Sequence, residues 1–226
     1  MTGAVIVALT AAVAVAVGPP LHGRELDRVP TRKREVALTL DAGDNARGAW
    51  RVVTVLVRQH VPATFFLTGR WARENRQLAR VIGARFDVGN HTYSHPYLTR
   101  LDSSAVANEI RRGAQAIRRF ARRDPRPLFR FPYGDSDSRT IAIANGLGYV
   151  PIRWTVDTLG WMGAEGQTVA GAVGRVLAAL RPGAIILMHV GAAGDGSTID
   201  TRALAKVISA VRRRGYSFTS LRRRLR

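Results

Sequence analysis

Two hydrophobic patterns take turns along this chain. Short β-branched or aromatic runs are separated by longer stretches in which apolar residues recur every third or fourth position. The first pattern is that of a strand buried on both faces, and the second that of an amphipathic helix. Strands are predicted over residues 36–40, 63–67, 85–88, 128–131, 149–152, 154–156, 184–188 and 216–218. Helices are predicted over 46–59, 73–83, 103–122, 138–146, 169–180 and 201–213. The longest carries an Ile110, Ala114, Ile117 stripe with Ser103 or Ser104 as its cap, and Pro182-Gly183 ends the fifth.

Strand and helix alternate throughout, which predicts a parallel sheet flanked by helices, an α/β fold. Seven or eight such units predict closure into a (β/α) barrel, with chemistry at the C-terminal ends of the strands. A doubly wound open sheet is the other arrangement. The phosphate-binding patterns GxGxxG and GxxxxGK[ST] follow none of the strands.

Polar residues stand where the barrel rule asks for them. Asp41, the pair His91 and His95, Arg130, Asp157 and His189 each follow or end a predicted strand. Neutral imidazole is the commonest protein metal ligand, and two of them four residues apart can reach one ion from a single tight turn. Arg130 beside an apolar strand needs an anionic partner, and Asp41 is the natural candidate. Asp157 lies between Trp154 and Trp161, which suits either a sugar platform or plain core packing. His189 alone reads as easily as a hydrogen-bonded core histidine.

Bulk properties narrow the partners. The 226 residues carry a formal charge of +19, almost all of it arginine. That balance fits a polyanion such as an acidic wall polymer, or a compositional bias with arginines on solvated helix faces. The basic residues are scattered and tied to no nucleic-acid-reading motif, so no nucleic-acid partner is expected. The absence of cysteine excludes disulfides, thiolate metal sites and a cysteine nucleophile. Residues 4–17 are apolar except for Thr10, and Gly18-Pro19-Pro20 follows. This reads as a signal peptide or membrane anchor over 1–18, then a Pro-, Arg- and Glu-rich linker over 19–34, then a catalytic domain over 35–226. Export to the cell wall, as a secreted or anchored protein, is the corresponding expectation.

Together these elements resemble the polysaccharide deacetylase family, the NodB homology domain of carbohydrate esterase family 4. The motifs are Thr39-Leu40-Asp41-Ala42-Gly43, His91-Thr92-Tyr93-Ser94-His95, Arg130-Phe131-Pro132-Tyr133-Gly134, Asp157-Thr158-Leu159-Gly160-Trp161 and Leu187-Met188-His189, all in the family's order. The resemblance implies a distorted (β/α) barrel that removes N-acetyl groups from GlcNAc- or MurNAc-containing polymers, peptidoglycan before chitin, with a divalent metal, usually zinc. By position it makes Asp41 the general base toward the attacking water and His91 and His95 metal ligands. Arg130 would hold Asp41 ionised, His189 would be the general acid, and Asp157 would orient His189 and raise its pKa. The Tyr133 N–H would bind the oxyanion, and Leu187 and Trp161 would line the acetyl pocket.

The chain departs from the family pattern at three places. Leu40 replaces a phenylalanine. Gly160 stands where many members carry an acid. Ala42 replaces the second aspartate, a metal ligand, and alanine cannot bind a metal. Asp44 or Asn45 is then a candidate for the missing oxygen, Asp44 first. Otherwise the metal is held by the two histidines, Asp41 and water, or the protein is a non-catalytic binder of wall glycan.

Overall fold

The computed structural model describes residues 21–225. Its elements follow the alternation read from the sequence: β1 (Glu35–Ala42), α1 (Ala49–Arg58), β2 (Thr64–Leu67), α2 (Gly69–Glu74), α3 (Arg76–Arg85), β3 (Asp87–Asn90), α4 (Ser103–Phe120), β4 (Leu128–Phe129), α5 (Ser138–Gly146), β5 (Val150–Pro151), β6 (Val156–Asp157), α6 (Gly163–Gly166), α7 (Val169–Ala178), β7 (Ile185–His189), α8 (Ile199–Arg213), β8 (Ser217–Thr219) and α9 (Leu221–Arg224). The strands form one parallel sheet in the order β5-β4-β3-β2-β1-β7-β6, with β8 paired to the start of β1. Among the described residues β5 and β6 are the two ends of this order and do not pair. The sheet is a curled, incompletely closed barrel, as the sequence predicts.

Alternation along each strand divides the core. Val36, Leu38, Leu40 and Ala42 of β1 pack into the helix layer, where Val52, Leu56, Leu204 and Ile208 meet them. Ala37 faces the barrel interior with Phe66, Leu128 and Ile185. Thr39 and Asp41 continue that inner row upward, so the interior is apolar at the bottom and polar at the top.

Residues 21–34 lie against the open side. The Leu26 N–H donates to Pro151 O at 2.8 Å, and Leu26 O accepts from Arg153 N at 2.9 Å. Arg28 bridges Ala184, and Val29 is buried in the inner core. The described part of the segment read as a linker therefore stitches one barrel edge to the other. Leu26 and Val29 do this within a stretch whose composition otherwise suggests a tether. Residues 1–18, read as a leader or anchor, lie outside the described residues.

Several boundaries differ from the predicted ones for local reasons. The helix predicted from residue 46 begins at Ala49, because Gly48 is left-handed (φ 78°), and a Cβ there would lie 2.7 Å from Thr201 Oγ1. The helix predicted over 73–83 is two helices, broken at Asn75 (φ −114°, ψ 50°). The cap of α4 is Asp102, whose side chain accepts from Ala105 N at 2.8 Å, and neither Ser103 nor Ser104. The third strand is shifted two residues later than predicted, to Asp87–Asn90, since α3 runs on to Arg85.

Candidate active site

The parallel register sets Asp41 beside His189 at the C-terminal ends of β1 and β7. Arg130, just past β4, reaches across the barrel interior to meet Asp41. Its Nη1 lies 2.7 Å from Asp41 Oδ1 and 3.0 Å from Thr39 Oγ1. Its Nε donates to Ile152 O and its Nη2 to Arg153 O. The guanidinium is wholly buried and rests on the Phe66 ring, 4.1 Å away. Such burial is tolerable because the ion pair is supplemented by neutral acceptors on its other nitrogens. Burial raises the Asp41 pKa, but Arg130, aided by His91 and His189, outweighs it and holds the carboxyl below the usual carboxylate range. Oδ1 is committed to Arg130, which leaves Oδ2 toward the cleft.

His91 and His95 lie on the loop after β3. The His91 Nδ1–H donates to Arg130 O at 2.9 Å, which turns Nε2 toward the cleft. Its Nε2 lies 3.1 Å from His95 Nε2 and 3.5 Å from Asp41 Oδ2. The loop holds two non-glycine residues at positive φ, Thr92 (68°) and His95 (66°). Conformations of this kind persist where surroundings over-determine them. Here Thr92 N donates to Asn90 Oδ1, His95 N donates to Thr92 Oγ1, and Glu109 of α4 accepts from Tyr93 N, Ser94 N and Ser94 Oγ at 3.1, 2.8 and 3.0 Å. Sequence reading missed Glu109. Its signal was an acid on the buried stripe of an otherwise arginine-rich helix.

His189 ends β7, and its carboxylate partner differs from the predicted one. Asp200 Oδ2 lies 3.2 Å from His189 Nδ1, whereas Asp157 Oδ1 is 3.9 Å away. Asp157 instead accepts from Leu159 N at 2.8 Å and from Trp161 Nε1 at 3.0 Å, so it shapes its own turn and aims the indole. Burial lowers the His189 pKa, but the Asp200 hydrogen bond and the charges of Asp200, Asp157 and Asp41 outweigh it, and the pKa lies above the ordinary histidine value.

These groups floor a cleft of about 850 Å³, with Leu187 at its base and Trp161 and Tyr133 on its rim. Trp161 and Tyr133 are 55% and 56% exposed. Tyr133 stacks on Tyr97 at 4.1 Å and meets the His95 edge at 4.5 Å. Its backbone is left-handed (φ 59°), and the turn's hydrogen bonds, from Gly134 N and Asp135 N, do not use the Tyr133 N–H.

The imidazole pair fits a divalent cation as two ligands. Burial keeps the His91 pKa below the ordinary histidine value, and burial, with the His91 imidazole alongside, pushes His95 down to about 3, so both rings favour the neutral form. Two converging neutral ring nitrogens are suitable donors for two of its positions. Among the described residues, however, no three His, Cys, Asp or Glu side chains are grouped to hold an ion. Asp44, the candidate third ligand, lines the same cleft but is exposed, with Oδ2 accepting from Asn45 Nδ2 at 2.9 Å. Asn45 is no better placed, because its amide clasps Ala192 O and Ala192 N at 3.0 and 2.8 Å.

Comparison with known proteins agrees with this geometry. The family model described as polysaccharide deacetylase matches residues 28–152. A chitooligosaccharide deacetylase from a Bradyrhizobium species is 33% identical over 83% of this chain and 89% of its own. A peptidoglycan-N-acetylglucosamine deacetylase from Bacillus cereus is 31% identical over 85% of this chain and 68% of its own. Among solved structures, a CE4 family pseudoenzyme from Bacillus anthracis superposes with a TM-score of 0.81 at 29% identity, covering 90% of this chain and 69% of that one. A family match over more than half the sequence, and a relative this similar along most of its length, establish that the chain belongs to the polysaccharide deacetylase family.

Proposed function

We propose that this protein hydrolyses N-acetyl groups from GlcNAc- or MurNAc-containing polysaccharide, with peptidoglycan ahead of chitin-like glycan. The observation that carries the reading is the opposed pair on neighbouring strand ends. The Asp41 pKa is lowered and the His189 pKa is raised, and environments that push two titratable groups apart assign base and acid. Asp41 Oδ2 takes the proton from the attacking water. His189 donates to the nitrogen of the leaving amine, which an amide needs because the amide anion is a poor leaving group. The Tyr133 N–H stabilises the developing oxyanion, an interaction worth about 3–4 kcal/mol where such donors are well placed. His91 and His95 would hold a divalent cation, zinc by preference, which supplies Lewis acidity toward the acetyl carbonyl and the water. Trp161 and Tyr133 offer apolar faces for sugar rings, and Leu187 floors the acetyl site.

The test is acetate release from GlcNAc oligomers and from peptidoglycan, side by side, with protein supplied with Zn²⁺ or Co²⁺. Release that is abolished by Asp41→Asn and severely reduced by His189→Ala supports the reading. No release from folded, metal-supplied protein on either substrate sinks it.

Ala42 and the two-histidine site favour a second reading, a glycan-binding protein without turnover. Glycan binding with no metal retained at saturating Zn²⁺ distinguishes it. The apolar run over residues 4–17 supports export, and sequencing the mature N-terminus from fractionated cells checks that. The arginine-rich surface supports retention on an anionic wall polymer.

A further inference from the structure

We propose that Asp200, on the first turn of α8, is the residue that positions the His189 imidazole, taking the place of an acid at position 160. The inference rests on reading His189 as the general acid. Its geometry stands independently of that reading.

The loop from His189 to α8 turns sharply, with Gly191 (φ 121°) and Gly196 (φ 78°) at bends, and returns α8 to the end of β7. Asp200 is thereby buried, 4% exposed, against the histidine. Its Oδ2 accepts the His189 backbone N–H at 2.7 Å and lies 3.2 Å from Nδ1. Its Oδ1 accepts from the Thr158 hydroxyl at 2.7 Å, and Thr158 is itself fully buried. Both carboxylate oxygens are thus held. A proton on Nδ1 shared with Oδ2 leaves Nε2 as the atom that faces the cleft, and this fixes the tautomer as well as the ring plane.

Asp157 does not fill this role. It stands 3.9 Å from Nδ1, beyond hydrogen-bond reach, with its oxygens given to Leu159 N and Trp161 Nε1. Position 160 explains the exchange. A Cβ on Gly160 would lie 2.3 Å from Asp200 Cγ and from its Oδ1. A side chain at 160 and the Asp200 carboxylate therefore compete for one volume. Many members of the family put an acid at 160. This chain leaves the space empty there, and Asp200 fills it from α8. Asp157 and Asp41 are the other charged groups facing His189, and both act through space.

The test is ¹⁵N and ¹H NMR of the His189 side chain in the full chain, with and without Zn²⁺, together with the pH profile of acetate release. Asp200→Asn is expected to remove the downfield Nδ1–H resonance and lower the imidazole midpoint by about one pH unit, a tenfold loss of proton affinity. Asp157→Asn is expected to keep the resonance and shift the midpoint less. Thr158→Val, which retains the carboxylate, is expected to shift it in the same direction as Asp200→Asn by a smaller amount, and serves if the Asn variant does not fold. The pair Gly160→Asp with Asp200→Ala is expected to restore the resonance that Asp200→Ala alone loses. The proposal is overturned if Asp157→Asn shifts His189 more than Asp200→Asn does, or if Asp200→Asn or Thr158→Val leaves the resonance and midpoint unchanged. Wild-type protein that shows the expected NMR pattern but releases no acetate would remove the deacetylase reading and leave the Asp200–His189 pairing standing.

Discussion

Acidifying the metal-free protein is expected to weaken it through His95. An unfolded histidine titrates near 6.5, whereas burial, with the His91 imidazole alongside, pushes folded His95 down to about 3. Between those values the unfolded chain binds a proton that the folded chain refuses, so stability falls with pH at about 1.4 kcal/mol per unit. From pH 6.5, where the unfolded histidine is already half protonated, to pH 4.5 the loss from this one ring is about 2.3 kcal/mol. His91, also lowered by burial, adds to it in the same direction. The other two site groups are silent in this window. The His189 pKa is raised, so its stabilising contribution is complete below about 6.5 and is lost only as pH rises through its folded value. The Asp41 pKa is lowered, so its contribution persists until pH falls below the usual carboxylate range. A loss of this size is a large fraction of the 5–15 kcal/mol that holds a typical domain together, about a quarter in mid-range. Urea denaturation of chelator-treated protein at pH 6.5 and 4.5 measures it, with His95→Gln as the control that cannot titrate. The wild type should lose about 2.3 kcal/mol more than the variant. A difference below about 1 kcal/mol would refute the claim that the fold keeps His95 neutral.

Three further outcomes are expected. Arg130→Met should leave Asp41 buried without its partner and destabilise the protein by about 3–5 kcal/mol, read by urea denaturation at neutral pH, with the loss shrinking as Asp41 is protonated in acid. Glu109→Ala should free the histidine loop by removing the acceptor for Tyr93 N, Ser94 N and Ser94 Oγ, costing about 2–4 kcal/mol and weakening Zn²⁺ binding measured by calorimetry. Gly113→Ala should do the same by crowding, since a Cβ there would lie 2.5 Å from Asn90 Oδ1 and 2.6 Å from Thr92 O; a loss of about 1–3 kcal/mol in thermal unfolding checks it.

The inward row of β1, the Arg130 bridge and the histidine pair were legible in the sequence because each sits at the end of an apolar strand, where alternation says which way a side chain points. Glu109 was marked only as an acid on the buried stripe of α4, and Asp200 was not legible at all. An acid in the first turn of a helix is an ordinary answer to the helix dipole, and nothing local marks Asp200 as facing a histidine. Only the path of the loop over residues 190–198 brings it there. Asp157 acts on His189 through its charge, as expected, but it is not the hydrogen-bond partner. Its spacing to Trp161 and its motif are right, but its oxygens are spent within its own turn.

The two missing family carboxylates therefore differ in kind. At position 160 the space left by glycine is taken by Asp200, which hydrogen-bonds the acid histidine. At position 42 the alanine is packed at 0% exposure in the helix-layer core, and its neighbours do not supply the lost oxygen: Asp44 is exposed and Asn45 is bound to Ala192. Asp41 with its arginine partner and His189 with its carboxylate partner both meet the cleft, beside the two imidazoles of the histidine loop. On the deacetylase reading, the step that sets this chain apart is metal retention. Its activity should then saturate at higher free Zn²⁺ than that of a relative keeping the second aspartate, while the dependence on Asp41 and His189 stays the same. Equal Zn²⁺ requirements in a side-by-side titration would show that a ligand not assembled in this cleft completes the site.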